Sequence, residues 1–171
     1  MNRRLSSACL ALAVLLLGST APLASQGISV GAAASYGEDS DFGVGPRISV
    51  ALPAGDLGLS LVGSFDYFFP SVEETGGADV DIEYWELNGN LILDIPLAGG
   101  TVAPYAGAGI SYANGSGSVA AGGFSLSASE SEVGANLLAG LRFGSVGLSP
   151  FLEGRYSTAS EQVVVAVGLM F

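Results

Sequence analysis

The stretch Tyr84-Trp85-Glu86-Leu87-Asn88-Gly89-Asn90-Leu91-Ile92-Leu93-Asp94 decides how the chain folds. Side chains alternate between the two faces of an extended strand. Trp85, Leu87, Gly89, Leu91 and Leu93 therefore share one face, and Tyr84, Glu86, Asn88, Asn90, Ile92 and Asp94 share the other. One face is apolar and the other mixes acids, amides and a phenol. A water-soluble barrel would keep its ionised groups outside and its aliphatics within.

Working outward from this stretch, the period of two recurs in eight segments, at 27–36, 43–52, 57–69, 82–95, 101–112, 132–143, 147–157 and 161–171. Turn-rich sequence separates them. One face collects Ile28, Val30 and Tyr36, then Val44, Ile48 and Val50, then Leu59, Leu61, Phe65, Tyr67 and Phe69. In the later segments the same face collects Ile110 and Tyr112, Val133, Leu137 and Leu141, Leu152 and Tyr156, and Val163, Val165, Val167, Leu169 and Phe171. None of these residues carries a charge. Arg47, Arg142 and Arg155 all fall on the opposite face, with Asp66, Glu86, Glu132 and Glu153.

A bilayer asks for this inversion. Hydrocarbon satisfies no backbone polar group, so a sheet within it must close into a barrel, apolar outward and polar inward. A charge on the lipid side costs about 2–4 kcal/mol near the midplane. The expected fold is all-β, an eight-stranded antiparallel up-and-down transmembrane β-barrel, with Arg47, Asp66, Glu86, Arg142, Glu153 and Arg155 as an ionic cluster in its lumen. Aromatics add an independent sign. Tyr36, Tyr67, Phe69, Trp85, Tyr112 and Tyr156 gather where odd segments end and even ones begin, as a girdle at one membrane interface does, and Phe143 and Phe171 mark the other rim. The connections Pro53 to Asp56, Pro96 to Gly100 and Gly144 to Val146 are short, while 37–42, 70–81 and 113–131 are longer. Long loops belong outside the cell and short turns in the periplasm. Thr158 to Ser160 is a short outer connection and departs from the trend.

Composition agrees. Of 171 residues 49% are hydrophobic and 12% charged, and 26 are Gly, well above usual usage and without a collagen period. The net charge is −11, with no Lys and no His. Phosphate neutralisation needs clustered Lys and Arg, so nucleic acid is excluded as a partner. The missing His removes the commonest general base and the commonest zinc ligand. Arg3 and Arg4, the apolar run Leu10 to Leu17 and the small residues Ala21 to Ser25 form an export signal, expected to be cleaved so that 1–25 is lost and 26–171 is the barrel domain. The apolar run is too short to span a bilayer as a helix. Cys9 precedes that run instead of closing it, which argues against a lipid anchor there. Without the signal the chain has no Cys, so packing or lipid must hold it.

The chain resembles the small outer-membrane β-barrel proteins related to the OmpA transmembrane domain, OmpX and the opacity proteins. Ala103-Pro104-Tyr105-Ala106-Gly107-Ala108-Gly109 is similar to the family's fifth-strand PYxGxG pattern, and Phe151-Leu152-Glu153-Gly154-Arg155-Tyr156 to its later E-x-R-Y pattern. Val163, Val165, Val167, Leu169 and a final Phe171 look like the family's assembly signal. The resemblance implies a Gram-negative outer-membrane location, outer-membrane lipid and the barrel assembly machinery as partners, and no cofactor. Unlike full-length OmpA, the chain is not expected to carry a peptidoglycan-binding domain after residue 171.

Function is less determined. Eight strands enclose an interior that side chains just fill, so a wide channel is not expected. The acidic residues Glu38, Asp39, Asp41, Glu73, Glu74, Asp79 and Asp81 lack Ca²⁺-loop spacing and read as solvated loops that can face an extracellular partner. Asn114-Gly115-Ser116 formally matches a glycosylation sequon and reads as part of a Gly/Ser loop. Gly107-x-Gly109 lacks the third Gly and the helix of a dinucleotide site. Lipid A-modifying barrels use a catalytic His, which is absent, so no enzyme is expected. The expectation is a porin-like envelope barrel with a structural or surface-interaction role. The alternatives are a narrow small-solute pore of the same fold and a soluble lipocalin-like barrel with an apolar lumen.

Overall fold

A computed structural model describes residues 27–54, 57–71, 79–95, 97, 101–121, 124–144 and 147–171. The expected export signal, Glu73, Glu74 and parts of the three short turns lie outside the described residues. The strands are β1 (Ile28–Gly37), β2 (Asp41–Ala51), β3 (Leu59–Phe69), β4 (Asp79–Asp94), β5 (Val102–Ala121), β6 (Phe124–Phe143), β7 (Ser149–Ser157) and β8 (Gln162–Met170). Each pairs antiparallel with its sequence neighbours, and β1 pairs with β8, so the sheet closes into a barrel in the order β1 to β8. At the seam Val30 and Phe171 exchange two backbone hydrogen bonds of 3.2 and 2.7 Å.

Closure decides which face each residue takes. Arg47, Asp66, Glu86, Glu153 and Arg155 are buried, while Leu61, Leu91, Ile110, Leu137, Leu152 and Val167 are exposed around the outside. The large aliphatics thus coat the barrel and the ions fill it. A shallow outer groove of about 610 Å³ crosses β1 to β4 between Val30, Val44, Ile48, Phe65 and Leu87.

Residues 113–121 and 124–131, expected as a loop, are instead strand. β5 and β6 stay in register from Val102↔Phe143 to Ala121↔Phe124. Their Ser and Gly residues carry little apolar contrast, so the alternation that marks the other strands is faint there. The sequon at Asn114 consequently lies in β5 and not in a loop. β4 likewise begins at Asp79, which places Asp79 and Asp81 in a strand. β3 meets β4 only as far as Phe68↔Tyr84, and β7 meets β6 only as far as Ser157↔Asn136. Above the level of Tyr84 and Gly115, β4, β5 and β6 continue as a three-stranded extension, about 20 Å long over Ser116 to Ala121 of β5 at the usual rise per strand residue.

Candidate functional site

The lumen is built from inward positions of all eight strands, and its charges form two separate buried groups. In the first, Arg47 Nη1 on β2 donates to both carboxylate oxygens of Glu153 on β7, at 3.0 Å each. Tyr105 on β5 donates its hydroxyl to Glu153 Oε2 at 3.0 Å. The Arg47 guanidinium lies 4.5 Å over the Phe151 ring. The two short motifs on β5 and β7 therefore meet inside the barrel, through Tyr105 and Glu153. Gly140 on β6 makes room for this: a Cβ there would strike the Tyr105 ring and the Leu152 carbonyl.

In the second group Arg155 Nη2 donates to Asp66 Oδ2 at 3.0 Å and to Glu86 Oε2 at 2.9 Å. Ser35 and Asn88 donate to Asp66, and Tyr84 and Gln162 to Glu86. One guanidinium thus serves two carboxylates. Buried charges persist only when paired and hydrogen-bonded, which this arrangement achieves from five strands. Arg47 Nε and Nη2 and Arg155 Nε and Nη1 find no acceptor among the described residues.

Arg142 makes no ion pair with either group. It pairs with Asp94 at 2.8 Å near the short-turn end, half-buried, and lies 5.2 Å over Tyr105. The expected six-residue cluster is corrected accordingly: Arg142 sits low on β6, several rungs from the level of Arg155, and Asp94 on the neighbouring inward row reaches it first. Glu132, expected inward with these ions, keeps the inward side of β6 but lies above the closed lumen and is exposed. Apolar side chains fill part of the lumen between these polar groups. Val62, Ile92, Tyr105 and Leu138 form one cluster and Ala33, Phe151, Ala166 and Met170 another, while Phe68 is buried near the mouth.

Outside, Trp85 packs against Phe65 and Tyr112, and Phe69 against Tyr67 and Phe42, with ring centroids 5.2–6.4 Å apart. Tyr36 and Tyr156 are exposed on the same side of the sheet. Phe42 and Phe65, absent from the expected girdle, belong to this ring, and the strand stagger that brings them level is not visible in sequence. Val163, Val165, Val167 and Leu169 of β8 all face outward. At the long-strand end Asp41 holds a positive φ of 59° and accepts the Ser71 amide at 2.7 Å. That amide and the Ser71 hydroxyl hold the Asp41 carboxyl below the usual carboxylate range. No three acidic side chains converge for a metal among the described residues.

No family model and no curated protein sequence matches the chain. Solved structures do. The N-terminal β-barrel domain of Pseudomonas aeruginosa OprF superposes with a TM-score of 0.61 at 17% identity, over 84% of this chain and 95% of that one. The chain has the fold of the small outer-membrane β-barrels. A major outer membrane protein from Thermus thermophilus gives a TM-score of 0.67 at 14% identity, over 84% of this chain and 97% of that one. Ail, the attachment invasion locus protein of Yersinia pestis, in complex with the heparin analogue sucrose octasulfate, gives 0.54 at 20% identity, over 84% and 93%. At such identities this small-barrel likeness extends to fold alone.

Proposed function

We propose that the chain is exported, loses residues 1–25, and acts as an integral outer-membrane barrel with a closed, ion-paired lumen and a working surface at its long-strand end. The observation that carries this reading is the pairing of a filled interior with a β4–β6 extension that rises beyond the barrel wall. A barrel whose only task was permeation would gain nothing from the extension, and the apolar layers and ion pairs leave no wide path. The outward aliphatics and the groove over β1 to β4 suit acyl chains, since lipid is what such a surface meets in a bilayer. The role is a non-catalytic one at the cell surface, structural or adhesive. Attachment is in the name of one neighbour, Ail, and that protein was solved with a polyanion. The long-strand end here carries no Lys or Arg, so a polyanion does not suit this chain.

A narrow pore is the second reading, favoured by the four unpaired guanidinium nitrogens lining the lumen. The test is fractionation with electrophoresis in mild detergent. A boiling-dependent mobility shift in outer-membrane fractions is expected, and Ser118→Cys should react with an impermeant thiol reagent added to intact cells. Recovery as a soluble periplasmic protein without a shift would overturn the reading. Single-channel recording separates the closed barrel, expected to be silent, from the pore.

A further inference from the structure

We infer that the inner face of the β4–β6 extension docks a cationic, amphipathic polypeptide over the barrel mouth. This rests on the surface role proposed above and names the chemistry of its partner. Below the Trp85 and Tyr112 rings, the face toward lipid is apolar and the face toward the lumen polar. Above them the two faces exchange character. The face continuous with the lipid side presents Asp81, Glu83, Ser116, Ser118, Ser127 and Ser129. The face continuous with the lumen presents Val80, Ile82, Val119 and Leu126, the last three 42%, 43% and 77% exposed.

Register makes these apolar residues a patch. Val80, Val119 and Leu126 stand side by side in one row, and Ile82, Gly117 and Ala128 in the next toward the barrel. A contiguous apolar patch held in water marks a surface that something covers. What covers it is set by its rim. An open cavity of about 440 Å³ continues from Ile82 down to the mouth between Asp39, Asp41, Glu130 and Glu132. Glu38 and Glu161 are exposed nearby, and every cation after the export segment, Arg47, Arg142 and Arg155, lies beneath in the barrel. Every charge on the described rim is therefore negative. An anionic lipid headgroup is repelled, and a bare polyamine has no side groups to cover Leu126. A polypeptide with apolar side chains in the rows and Lys or Arg against the rim satisfies both.

The experiment uses the barrel domain in lipid nanodiscs of phosphatidylcholine, with empty discs subtracted, and a labelled ten-residue peptide of alternating Lys and Val. Saturable binding that weakens with salt is expected, with little binding of Glu/Val or Lys/Ser peptides. Leu126→Ser should weaken it by about tenfold, the factor that burying one such side chain supplies. Glu130→Gln with Glu132→Gln should weaken it by about fivefold and flatten the salt dependence. Ser127→Asn and Ser129→Asn, on the other face, should change nothing. Each variant is first shown to keep its boiling-dependent mobility. Absence of binding, equal binding of the Lys/Ser peptide, or indifference to Leu126→Ser overturns the inference. Binding in discs does not depend on where a cell places the mouth, so this failure and a failure of external labelling at Ser118 are separate results.

Discussion

Glu153 accepts hydrogen bonds from Arg47 and Tyr105 at once, in a site where a lone guanidinium would be stranded. Glu153→Gln should therefore lower stability by about 3 kcal/mol, the cost of uncovering a buried charge, read as the urea midpoint in lipid vesicles. Arg47→Met combined with Glu153→Leu should recover much of that loss, and an unchanged midpoint in Glu153→Gln would remove the pair from the account. Gly140→Ala should lower the midpoint too, because the new methyl occupies the Tyr105 ring position. Asp41 gives a pH dependence of fixed sign. Its carboxyl is held below the unfolded value of 3.8, so its contribution is present above that pH and fades as pH falls through the lower folded value. Amide exchange at Ser71 should stay protected at pH 5 and lose protection in strong acid. The lumen charges are legible residue by residue, since a period of two fixes the face of each. Their partners are not: Arg155 meets Asp66 from 89 positions away, and only the closed sheet brings them together.

At the level of elements, the strands that sequence reveals most clearly are those with the greatest contrast between faces. β4 is legible because Leu91 and Leu93 alternate with Asn90 and Asp94. The outer halves of β5 and β6 are not, because Ser116, Ser118, Ser127 and Ser129 on one side contrast little with Gly115, Gly117 and Ala128 on the other. Backbone pairing holds them as strands regardless. Face assignment predicts that Leu91→Arg costs about 2–4 kcal/mol of membrane stability, whereas Asn90→Ser, which keeps a polar group facing the lumen beside Asn136, costs less. Equal assembly yields for the two would reverse the faces. Deleting Phe171 removes both hydrogen bonds that close β8 on Val30. Slower insertion into vesicles is expected, and normal insertion would deny the terminal residue an assembly role.

For the whole molecule, length, eight segments of period two and the apolar face they share point to a closed membrane barrel from sequence alone. What they leave open is the geometry above the girdle, where three strands outgrow the other five and the faces exchange character. The central claim is that the apolar face meets lipid, with its aromatic ring at an interface. The chain has a single Trp, at position 85, so its fluorescence reports one place on that ring. In vesicles of phosphatidylcholine brominated at defined acyl depths, strong quenching of Trp85 by bromine near the headgroups and weak quenching by bromine near the midplane are expected. Quenching by an aqueous quencher with no response to lipid bromine at any depth would contradict the claim.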